Sequence, residues 1–320
     1  MGKRLSGTSC GLMVIALVLI CGGLQTAAAQ QYPSKPIEMQ VAYAAGGLVD
    51  SMARAAAKSM EETLGQPVVV INRPGAGGAL ALTALKSAKP DGYTLGVVTA
   101  ITLTYTPLVE KVNYSLQDFK LLATIGRFQE AYVSATEKPW KTFKDLVAYA
   151  KKNPGMTYAS MHPIGESILT AIAKKEGIDW RAIPTKGGAE VMTAVVGKHV
   201  DFGYSGGIHT SFVKAGEMVV LAGLGKQRLL ASPEVPTLQE MGYGIQFDND
   251  NLILMPKGAP DDIVKKLVEA IEKAVKDPKY VDLLQNKLLI PAIYLSSDDL
   301  QKSISASIQG NQKLIDAARD

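Results

Sequence analysis

The sequence contains very little cysteine: Cys10 and Cys21 are its only two among 320 residues. Both lie within the first 29 residues, so the remainder of the chain has no disulfide to stabilise it and depends on its core. Histidine is nearly as scarce, with His162, His199 and His209. No His/Cys cluster has zinc-site spacing, and no Gly-Lys-Ser/Thr phosphate loop is present. The sequence therefore predicts neither a metal site nor a cofactor.

The chain also lacks a strong excess of charge of one sign. Its 34 Lys and Arg residues and 30 Asp and Glu residues are scattered, and no basic stripe is interleaved with aromatic residues. This distribution gives no support for nucleic-acid binding. Beyond the first 29 residues no apolar run reaches the length of about 20 residues that a membrane span requires. We therefore expect residues 30–320 to be soluble.

The first 29 residues have the pattern of a secretory signal peptide. Lys3 and Arg4 form a basic start, residues 11–20 are uninterruptedly apolar, and residues 27–29 are three alanines before Gln30. This order predicts cleavage after residue 29 and release into the periplasm or extracellular space. Lipid anchoring at Cys21 is disfavoured because the bulky Ile20 precedes it.

Short apolar runs alternate with helical patterns along residues 30–320. The predicted strands are 37–42, 68–71, 94–99, 132–135, 157–159, 202–204, 219–224 and 252–255. The predicted helices are 50–64, 143–152, 166–176, 189–196, 261–275 and 297–318. Asp50 and Ser297 stand at helix starts, and Gly65 and Gly177 stand at helix ends. The alternation predicts an α/β fold of mainly parallel sheets flanked by helices.

Three glycine-rich turns at 43–50, 72–78 and 89–94 punctuate the first part of this pattern. In the first turn, Gly46 and Gly47 follow a predicted strand and open a helix. Bare backbone N–H groups at a helix N-terminus attract an anion, because unpaired donors and the helix dipole both favour negative charge. The alternative is a tight turn that binds no ligand.

Two stretches, 126–130 and 244–251, are candidate crossings between two lobes. A chain that crosses twice returns its C-terminal part to the first lobe. The predicted division is residues 30–126 with 248–320 in one lobe and 127–247 in the other. Such a division places a ligand cleft between the lobes, at the carboxyl ends of the strands.

Several segments resemble the Bug family, the periplasmic TctC-type solute-binding proteins of tripartite tricarboxylate transporters. They include Ala-Gly-Gly-x-x-Asp at 45–50, LGQPVVV at 64–70, NRPGAGG at 72–78 and PDGYTL at 90–95. The resemblance continues through WKTFKDL at 140–146, YAKKNPG at 149–155, PTKGG at 184–188, PEVPT at 233–237 and PKGAP at 256–260. These motifs occur in order along nearly all of residues 30–320.

The resemblance implies a monomeric, non-enzymatic protein with the two-lobed Venus-flytrap fold. Such a protein closes around a small carboxylate and passes it to the membrane permease subunits of a tripartite tricarboxylate transporter. The family's two ligand loops correspond here to Tyr43, Ala44, Ala45, Gly46, Gly47 and Asp50, and to Ser160, Met161, His162 and Gly165. Asp50 has a second interpretation as the N-cap of its helix, which would satisfy backbone N–H groups instead of touching the ligand.

The sequence departs from the family pattern at positions that bear on specificity. His162 replaces a glycine of the second loop, either as an extra donor to the ligand or as a packing residue held by Pro163. Thr185 stands where the family often has an aromatic residue. Asp248 and Asp250 lie where the family often carries Trp, and their carboxylates would repel an anion unless they face solvent or meet an ammonium group. An amino acid or another polar acid therefore stays open as the ligand.

Three further residues are candidate contacts in the cleft. Tyr204 and Ser205 end a predicted buried strand and are placed to line the cleft with hydrogen-bond donors. Arg127 lies in the first crossing, where it would either pair with a ligand carboxylate or form an ion pair between lobes.

Two other functions stay open from the sequence. Residues 203–207 match the G-x-S-x-G pattern of serine hydrolases, with Ser205 as nucleophile. That chemistry needs a later acid and a later histidine, and only His209 follows the serine. The second alternative is a sensor that presents its ligand to a membrane histidine kinase.

Overall fold

The computed structural model describes Gly2 and residues 32–319. The predicted signal peptide, with Cys10 and Cys21, lies outside these described residues. The contacts divide the chain into two units, residues 1–34 and residues 35–320. Of the first unit only Gly2 and residues 32–34 are described, and the fold given below is that of the second. Among the described helices, none has the length and apolar character needed to cross a membrane.

In the described part of the second unit, ten strands form two sheets of five strands each. They are β1 (Ile37–Val41), β2 (Val68–Asn72), β3 (Thr94–Thr99), β4 (Phe119–Arg127), β5 (Ala131–Ala135), β6 (Met156–Ser160), β7 (Trp180–Pro184), β8 (Phe202–Ser205), β9 (Met218–Gly223) and β10 (Asp250–Pro256). The first sheet has the order β2-β1-β3-β10-β4 and the second has the order β7-β6-β8-β5-β9.

Each sheet is mixed. In the first sheet β1 pairs in parallel with β2 and β3, whereas β10 is antiparallel to both β3 and β4. In the second sheet β6 pairs in parallel with β7 and β8, whereas β5 is antiparallel to both β8 and β9. In each sheet, the antiparallel strand is the first strand that the chain forms after it crosses over from the other sheet. The chain passes to the second sheet at 128–130 and returns at 224–249.

The helices cover both sheets. They are α1 (Leu48–Leu64), α2 (Ala79–Lys86), α3 (Ile101–Thr104), α4 (Thr106–Val109), α5 (Phe143–Ala150), α6 (Pro163–Glu176), α7 (Gly188–Val196), α8 (His209–Lys214), α9 (Asp261–Lys276), α10 (Pro278–Asp282) and α11 (Ser297–Arg319). A π-helical segment, Leu283–Leu288, follows α10.

Local sequence explains several helix ends. Gly65 and Gly177 follow α1 and α6 with φ of 67° and 65°, in the left-handed region that glycine adopts without strain. At the start of α5 the Thr142 side chain accepts the backbone N–H of Asp145, and the Asp145 carboxylate accepts that of Thr142. This capping box satisfies two exposed donors at once.

The long helix α11 contacts the cores of both sheets. Leu300 and Ile304, near its start, pack in the core of the first sheet. Ile315, near its end, packs with Tyr132 and Trp180 in the core of the second. One helix thus packs on the cores of both sheets.

The predicted α/β class is confirmed, as are the strands and helices predicted along the chain. Helix α1 begins two residues before the predicted start at Asp50. Strands β4 and β7 and the short helices α2, α3, α4, α8 and α10 were not predicted from the sequence.

Candidate functional site

The first predicted loop lies between β1 and the N-terminus of α1. Ala44, Ala45, Gly46 and Gly47 are all exposed. Gly46 has a φ of 81°, which strains any residue with a Cβ. Gly47 is the N-cap of α1 and has no side chain to cap the helix. The first backbone N–H groups of α1 therefore remain available to an external acceptor.

Asp50 holds this loop in shape. It is 3 % exposed, and its Oδ2 accepts hydrogen bonds from Gly46 N at 2.9 Å and from Arg54 Nε at 3.0 Å. Its Oδ1 accepts one from Asn72 Nδ2 at 2.8 Å. Burial would raise the pKa of Asp50, but these hydrogen bonds together lower it below its usual range. The carboxylate is thus ionised and already engaged by three donors.

The interpretation of Asp50 as the N-cap was wrong. Gly47 occupies that position, and Asp50 is the third residue of α1. Its carboxylate reaches back to the N–H of Gly46, one residue before the cap. The sequence correctly indicated a helix start near Asp50, since an acid in the first turn stabilises the helix N-terminus. In the structure, however, Asp50 holds the glycine turn in place by its hydrogen bond from Gly46.

Tyr43 ties the loop to the end of β3. Its hydroxyl lies 2.6 Å from Thr99 Oγ1 and 3.1 Å from Thr102 Oγ1. Its backbone carbonyl accepts a hydrogen bond from Asn72 Nδ2 at 3.0 Å. The tyrosine is half-buried, so part of the residue stays accessible to solvent.

Asn251 was not recognised from the sequence, although it lies beside this loop. It pairs across strands with Thr99, so the two side chains share a face of the sheet. Asn251 is fully buried, and within residues 32–319 neither its Nδ2 nor its Oδ1 has a hydrogen-bond partner. A buried amide without partners requires a polar group beside it, from a ligand or from water.

The second predicted loop joins β6 to α6. Ser160 is 1 % exposed, and its hydroxyl donates to the carbonyl of His162 at 3.0 Å. Gly165 lies against the ring of Tyr204: a Cβ at this position would come within 3.1 Å of the ring and of Ser160 Oγ. A larger residue here would push the ring or the serine aside, so glycine favours the close approach of helix α6 to β8. Met161 is half-buried and borders Gly206.

His162 is the N-cap of α6, and its side chain makes no capping hydrogen bond. The imidazole stands edge-on to the Tyr204 ring, with 6.4 Å between the centroids. Burial lowers the pKa of His162 below its ordinary value, so the ring is neutral at pH 7. A neutral ring offers one N–H donor beside the helix N-terminus.

Thr185 belongs to the same group of residues. Its backbone N and its Oγ1 donate to the carbonyl of Ser160 at 2.9 Å and 3.1 Å. The predicted contacts Ser160, Met161, His162, Gly165, Thr185 and Tyr204 thus lie together at one end of the second sheet. Within residues 32–319 no hydrogen bond or ion pair connects them to residues 43–50.

Ser205 is fully buried at the end of β8. Its Oγ lies 2.9 Å from Nδ1 of His209, which is itself 2 % exposed. Burial lowers the pKa of His209 to about 4, so this histidine is neutral near pH 7. The pair connects the strand to helix α8, and a hydroxyl without solvent exposure is poorly placed to attack a substrate.

Arg127 and Asp250 form a paired contact between β4 and β10. Arg127 Nε and Nη2 donate to Asp250 Oδ1 and Oδ2 at 2.6 Å and 3.0 Å. Asp248 lies 3.3 Å from Arg127 Nη1, and its side chain is only 11 % exposed. The sequence left open that Asp248 faces solvent, and the structure contradicts this alternative. Both carboxylates meet the same guanidinium, which reduces the repulsion that the sequence suggested but leaves one negative charge in excess.

Glu130 is a second residue that was not singled out from the sequence. It is 2 % exposed and lies where the chain enters the second sheet. Its Oε1 accepts a hydrogen bond from Asn249 Nδ2 at 2.9 Å, and the Tyr204 hydroxyl lies beside the same carboxyl group without a hydrogen bond of normal geometry. Burial raises the pKa of Glu130 to about 7. No pattern in the sequence distinguishes it from a surface glutamate.

The described residues hold no group of three or more His, Cys, Asp or Glu placed to bind a metal ion. What the two loops offer is the first backbone N–H groups of α1 and the N–H of Ile164 at the start of α6, with a neutral histidine and hydroxyl groups beside them. Pro163 has no N–H, and Gly165 N donates to the carbonyl of His162 at 3.1 Å. Such an arrangement suits a small anion and needs no fixed cation.

The family model of the "Tripartite tricarboxylate transporter family receptor" matches residues 52–319. A curated relative, the UPF0065 protein in gbd 5'region of Cupriavidus necator, is 33 % identical over 91 % of this chain and 89 % of its own length. Protein BugT of Bordetella pertussis (strain Tohama I) is 29 % identical over 93 % of this chain and 94 % of its own length.

Several solved structures of other proteins have the same fold as this chain. Periplasmic binding protein BugD is 28 % identical, covering 89 % of this chain and 98 % of its own, with a TM-score of 0.71. MatC from Rhodopseudomonas palustris, with bound malate, shares the fold at 24 % identity, 90 % and 100 % coverage and a TM-score of 0.74. An R. palustris protein with adipate shares it at 23 % identity, 90 % and 98 % coverage and a TM-score of 0.78. The two-lobed periplasmic-binding-protein fold is therefore confirmed, and the chain belongs to the tripartite tricarboxylate transporter receptor family, which includes the Bug proteins.

Proposed function

We propose that this protein binds a small carboxylate-containing organic anion between two lobes and delivers it to the permease subunits of a tripartite tricarboxylate transporter. The lobes are residues 30–126 with 248–320, and residues 127–247. Residues 1–29 act as a signal peptide that sends the protein to the periplasm, where it works as a monomer. Family membership supports the transport role, and malate and adipate in two proteins of the same fold support an organic acid as ligand.

The observation that carries the proposal is the unpartnered amide of Asn251 beside the glycine loop. The ligand carboxylate accepts hydrogen bonds from backbone N–H groups at the start of α1, where Gly46 and Gly47 leave it room. Asn251 supplies the next donor, directly or through water, from the same end of the first sheet. The ionised Asp50 does not repel the ligand strongly because its charge is offset by Arg54 and two further donors.

From the second lobe, Ser160, Met161, His162 and Gly165 present the N-terminus of α6 to the ligand. His162 contributes a neutral N–H donor, while Thr185 fixes the carbonyl of Ser160 so that the loop keeps its shape. Tyr204 is fully buried and packs against Gly165, so it supports this loop from within, and the fully buried Ser205 does not contact the ligand. Closure of the two lobes brings the two helix starts to the same anion, and the closed form is the state that the permease recognises.

A binding protein is favoured over a serine hydrolase because Ser205 is fully buried. Its hydroxyl is engaged with His209 and forms part of the packing between β8 and α8. The proposed role for this pair is structural.

The test is a thermal-shift screen of the purified protein against dicarboxylates, tricarboxylates, aromatic acids, amino acids and sulfonates, with neutral sugars as controls. A ligand at a hundred times its Kd raises the free energy of unfolding by about 2.7 kcal/mol, which shifts the midpoint measurably. The protein is screened again after unfolding and refolding, which removes any ligand carried over from the cell. If no acid raises the midpoint of the refolded protein, the carboxylate proposal is wrong.

Asn251→Leu separates function from stability. Removing a buried unpartnered amide should raise the stability of the free protein, since such a group costs about 1–3 kcal/mol, while the acid found in the screen binds at least tenfold more weakly. Asn286→Leu, the same change at an exposed side chain, is the matched control and should leave binding unchanged. Unchanged affinity in Asn251→Leu would remove this residue from the site.

A further inference from the structure

A cavity of about 550 Å³ lies between α6, α11 and the returning segment 243–248. None of the residues of the two predicted ligand loops lines it. Helix α6 starts at the second loop with Pro163 and reaches the cavity only at Ala171, eight residues later. At 1.5 Å per residue this separation is about 12 Å along the helix axis. The cavity is therefore a different place from the cleft proposed above.

Asn311 points to a ligand in this cavity. The residue lies on α11, lines the cavity and is 6 % exposed. Its Nδ2 has no hydrogen-bond partner anywhere in residues 32–319. A buried amide donor is normally satisfied, and Asn311 is one of the residues that line the cavity, so an occupant with an acceptor could satisfy it. The occupant must therefore present a hydrogen-bond acceptor.

The charges around the cavity favour an anion. Lys175 on α6 and Lys313 on α11 both line it. Asp248 is the acid that lines it, and its carboxylate is taken up by Arg127 at 3.3 Å, by the backbone N of Lys226 at 3.1 Å and by Gln246 Nε2 at 2.8 Å. Arg127 is shared between Asp248 and Asp250, and Lys175 Nζ also donates to the carbonyl of Gly242 at 2.8 Å. The two lysines therefore leave a positive charge in excess over the Asp248 carboxylate around the cavity.

The walls between these polar groups are apolar. Ile172 and Phe247 are buried in the core of the second sheet, and Leu314 packs against the same core. All three line the cavity, as does Tyr243. Volumes of about 300–1,000 Å³ with mostly apolar walls and a few placed polar groups are typical of sites for small organic molecules.

We propose that this cavity is a second binding site, for a small organic acid with an apolar body. The acid group accepts a hydrogen bond from Asn311 Nδ2 and faces Lys175 and Lys313, while the body packs on Ile172 and Phe247. The site does not depend on the function proposed for the cleft, because it shares no residue with the two loops.

The test uses two fluorescent probes of nearly the same shape. 8-Anilinonaphthalene-1-sulfonate carries an anion on an apolar body, and N-phenyl-1-naphthylamine has the same body without the charge. The sulfonate should bind the purified protein at one site and more tightly than the neutral probe. Asn311→Leu, of similar size, should weaken sulfonate binding at least tenfold, a loss of about 1.4 kcal/mol, and leave binding of the neutral probe within twofold.

A cavity-filling variant locates the site. A Cβ at Gly310, which lines the cavity, would meet no atom within 4 Å, so Gly310→Leu enters open space on a helix that favours leucine over glycine. It should abolish binding of both probes. Two controls should leave the binding of both probes unchanged: Gln309→Leu, at the neighbouring exposed residue, and Gly47→Val, in the cleft. The proposal is overturned if the wild-type protein does not bind the sulfonate, or if Gly310→Leu binds it as well as the wild type.

Discussion

Replacing Glu130 with glutamine should change how the stability of the protein depends on pH. Glu130 is buried at the passage between the two sheets, with Asn249 on one oxygen of its carboxyl group and Tyr204 beside it. Burial raises its pKa from the ordinary 4.5 to about 7. The titratable groups near it are Tyr204 and Tyr132, and burial raises the pKa values of both well above 10, so neither loses a proton between pH 4.5 and pH 8.

The direction in which stability changes with pH depends on which state, folded or unfolded, releases the Glu130 proton first as the pH rises. Below pH 4.5 the carboxyl group is protonated in both the folded and the unfolded chain. Between pH 4.5 and 7 the unfolded chain releases the proton while the folded chain keeps it, so stability falls as the pH rises. The shift from 4.5 to about 7 corresponds to about 3 kcal/mol lost by pH 8, at roughly 1.4 kcal/mol per unit.

His209 opposes this trend. Burial lowers its pKa from 6.5 to about 4, so the unfolded chain takes up a proton first as the pH falls. The neutral His209 contributes about 3 kcal/mol to the free energy of unfolding above pH 6.5, and this contribution is lost as the pH falls toward 4. Between pH 4.5 and 6.5 the two groups therefore nearly cancel in the wild-type protein. In Glu130→Gln only the rise contributed by His209 remains.

The assay is urea unfolding followed by circular dichroism at pH 4.5, 6 and 8. Glutamine keeps the shape of the side chain and the hydrogen bond from Asn249, and it has no proton to lose. The stability of Glu130→Gln minus that of the wild type should increase by about 3 kcal/mol from pH 4.5 to pH 8. Glu234→Gln, the same change at an exposed side chain, should show no such increase. A difference for Glu130→Gln that is equal at all three pH values would refute the reasoning.

Three other substitutions test the contacts around the site. Arg127→Met leaves the buried carboxylate of Asp250 without its partner and should cost about 3–5 kcal/mol in urea unfolding; a cost below 1 kcal/mol would mean that the pair is not desolvated. Asp50→Asn removes the charge that clamps the first loop, so we expect a loss of about 1.5–3 kcal/mol together with weaker ligand binding, and unchanged binding would show that the loop keeps its shape unaided. Ser205→Ala should cost about 1–3 kcal/mol because His209 Nδ1 loses its partner, while ligand affinity measured by calorimetry stays the same; loss of a hydrolytic activity in this variant would favour an enzyme instead.

Sequence alone predicted the elements whose signals are local. Gly65 and Gly177 mark the ends of α1 and α6 because only glycine adopts the left-handed conformation there without strain. The apolar runs predicted the strands β1, β3 and β8. Strand β7 was missed because its apolar residues do not form an uninterrupted run, with the exposed Arg181 in second place.

The pairing of strands depends on residues far apart in the chain. Nothing local in 250–256 indicates that β10 inserts between β3 and β4 in the antiparallel direction. The same holds for β5 in the second sheet. Short-range patterns therefore predicted mainly parallel sheets, whereas one strand in each sheet runs the other way.

The glycine loops of the candidate site were found from the sequence, whereas its buried polar residues were not. Gly46 and Gly47 belong to the glycine turn 43–50, which the sequence shows directly, and their place before a helix N-terminus suggests anion binding. Asn251 ends the polar run 248–251 and Glu130 follows Gln129, and the usual expectation for such polar stretches is exposure. Only the fold shows that both are buried and that Asn251 lacks partners.

The central claim is that one small anion is held by the backbone at the starts of both α1 and α6. Amide hydrogen exchange, measured with and without a hundredfold excess over Kd of the acid found in the screen, tests it most directly. We expect slower exchange in two separate segments, 44–49 and 162–165, in the same complex. Slowing in only one of them, or only around 171–175 and 303–317, would contradict a ligand held between the two loops.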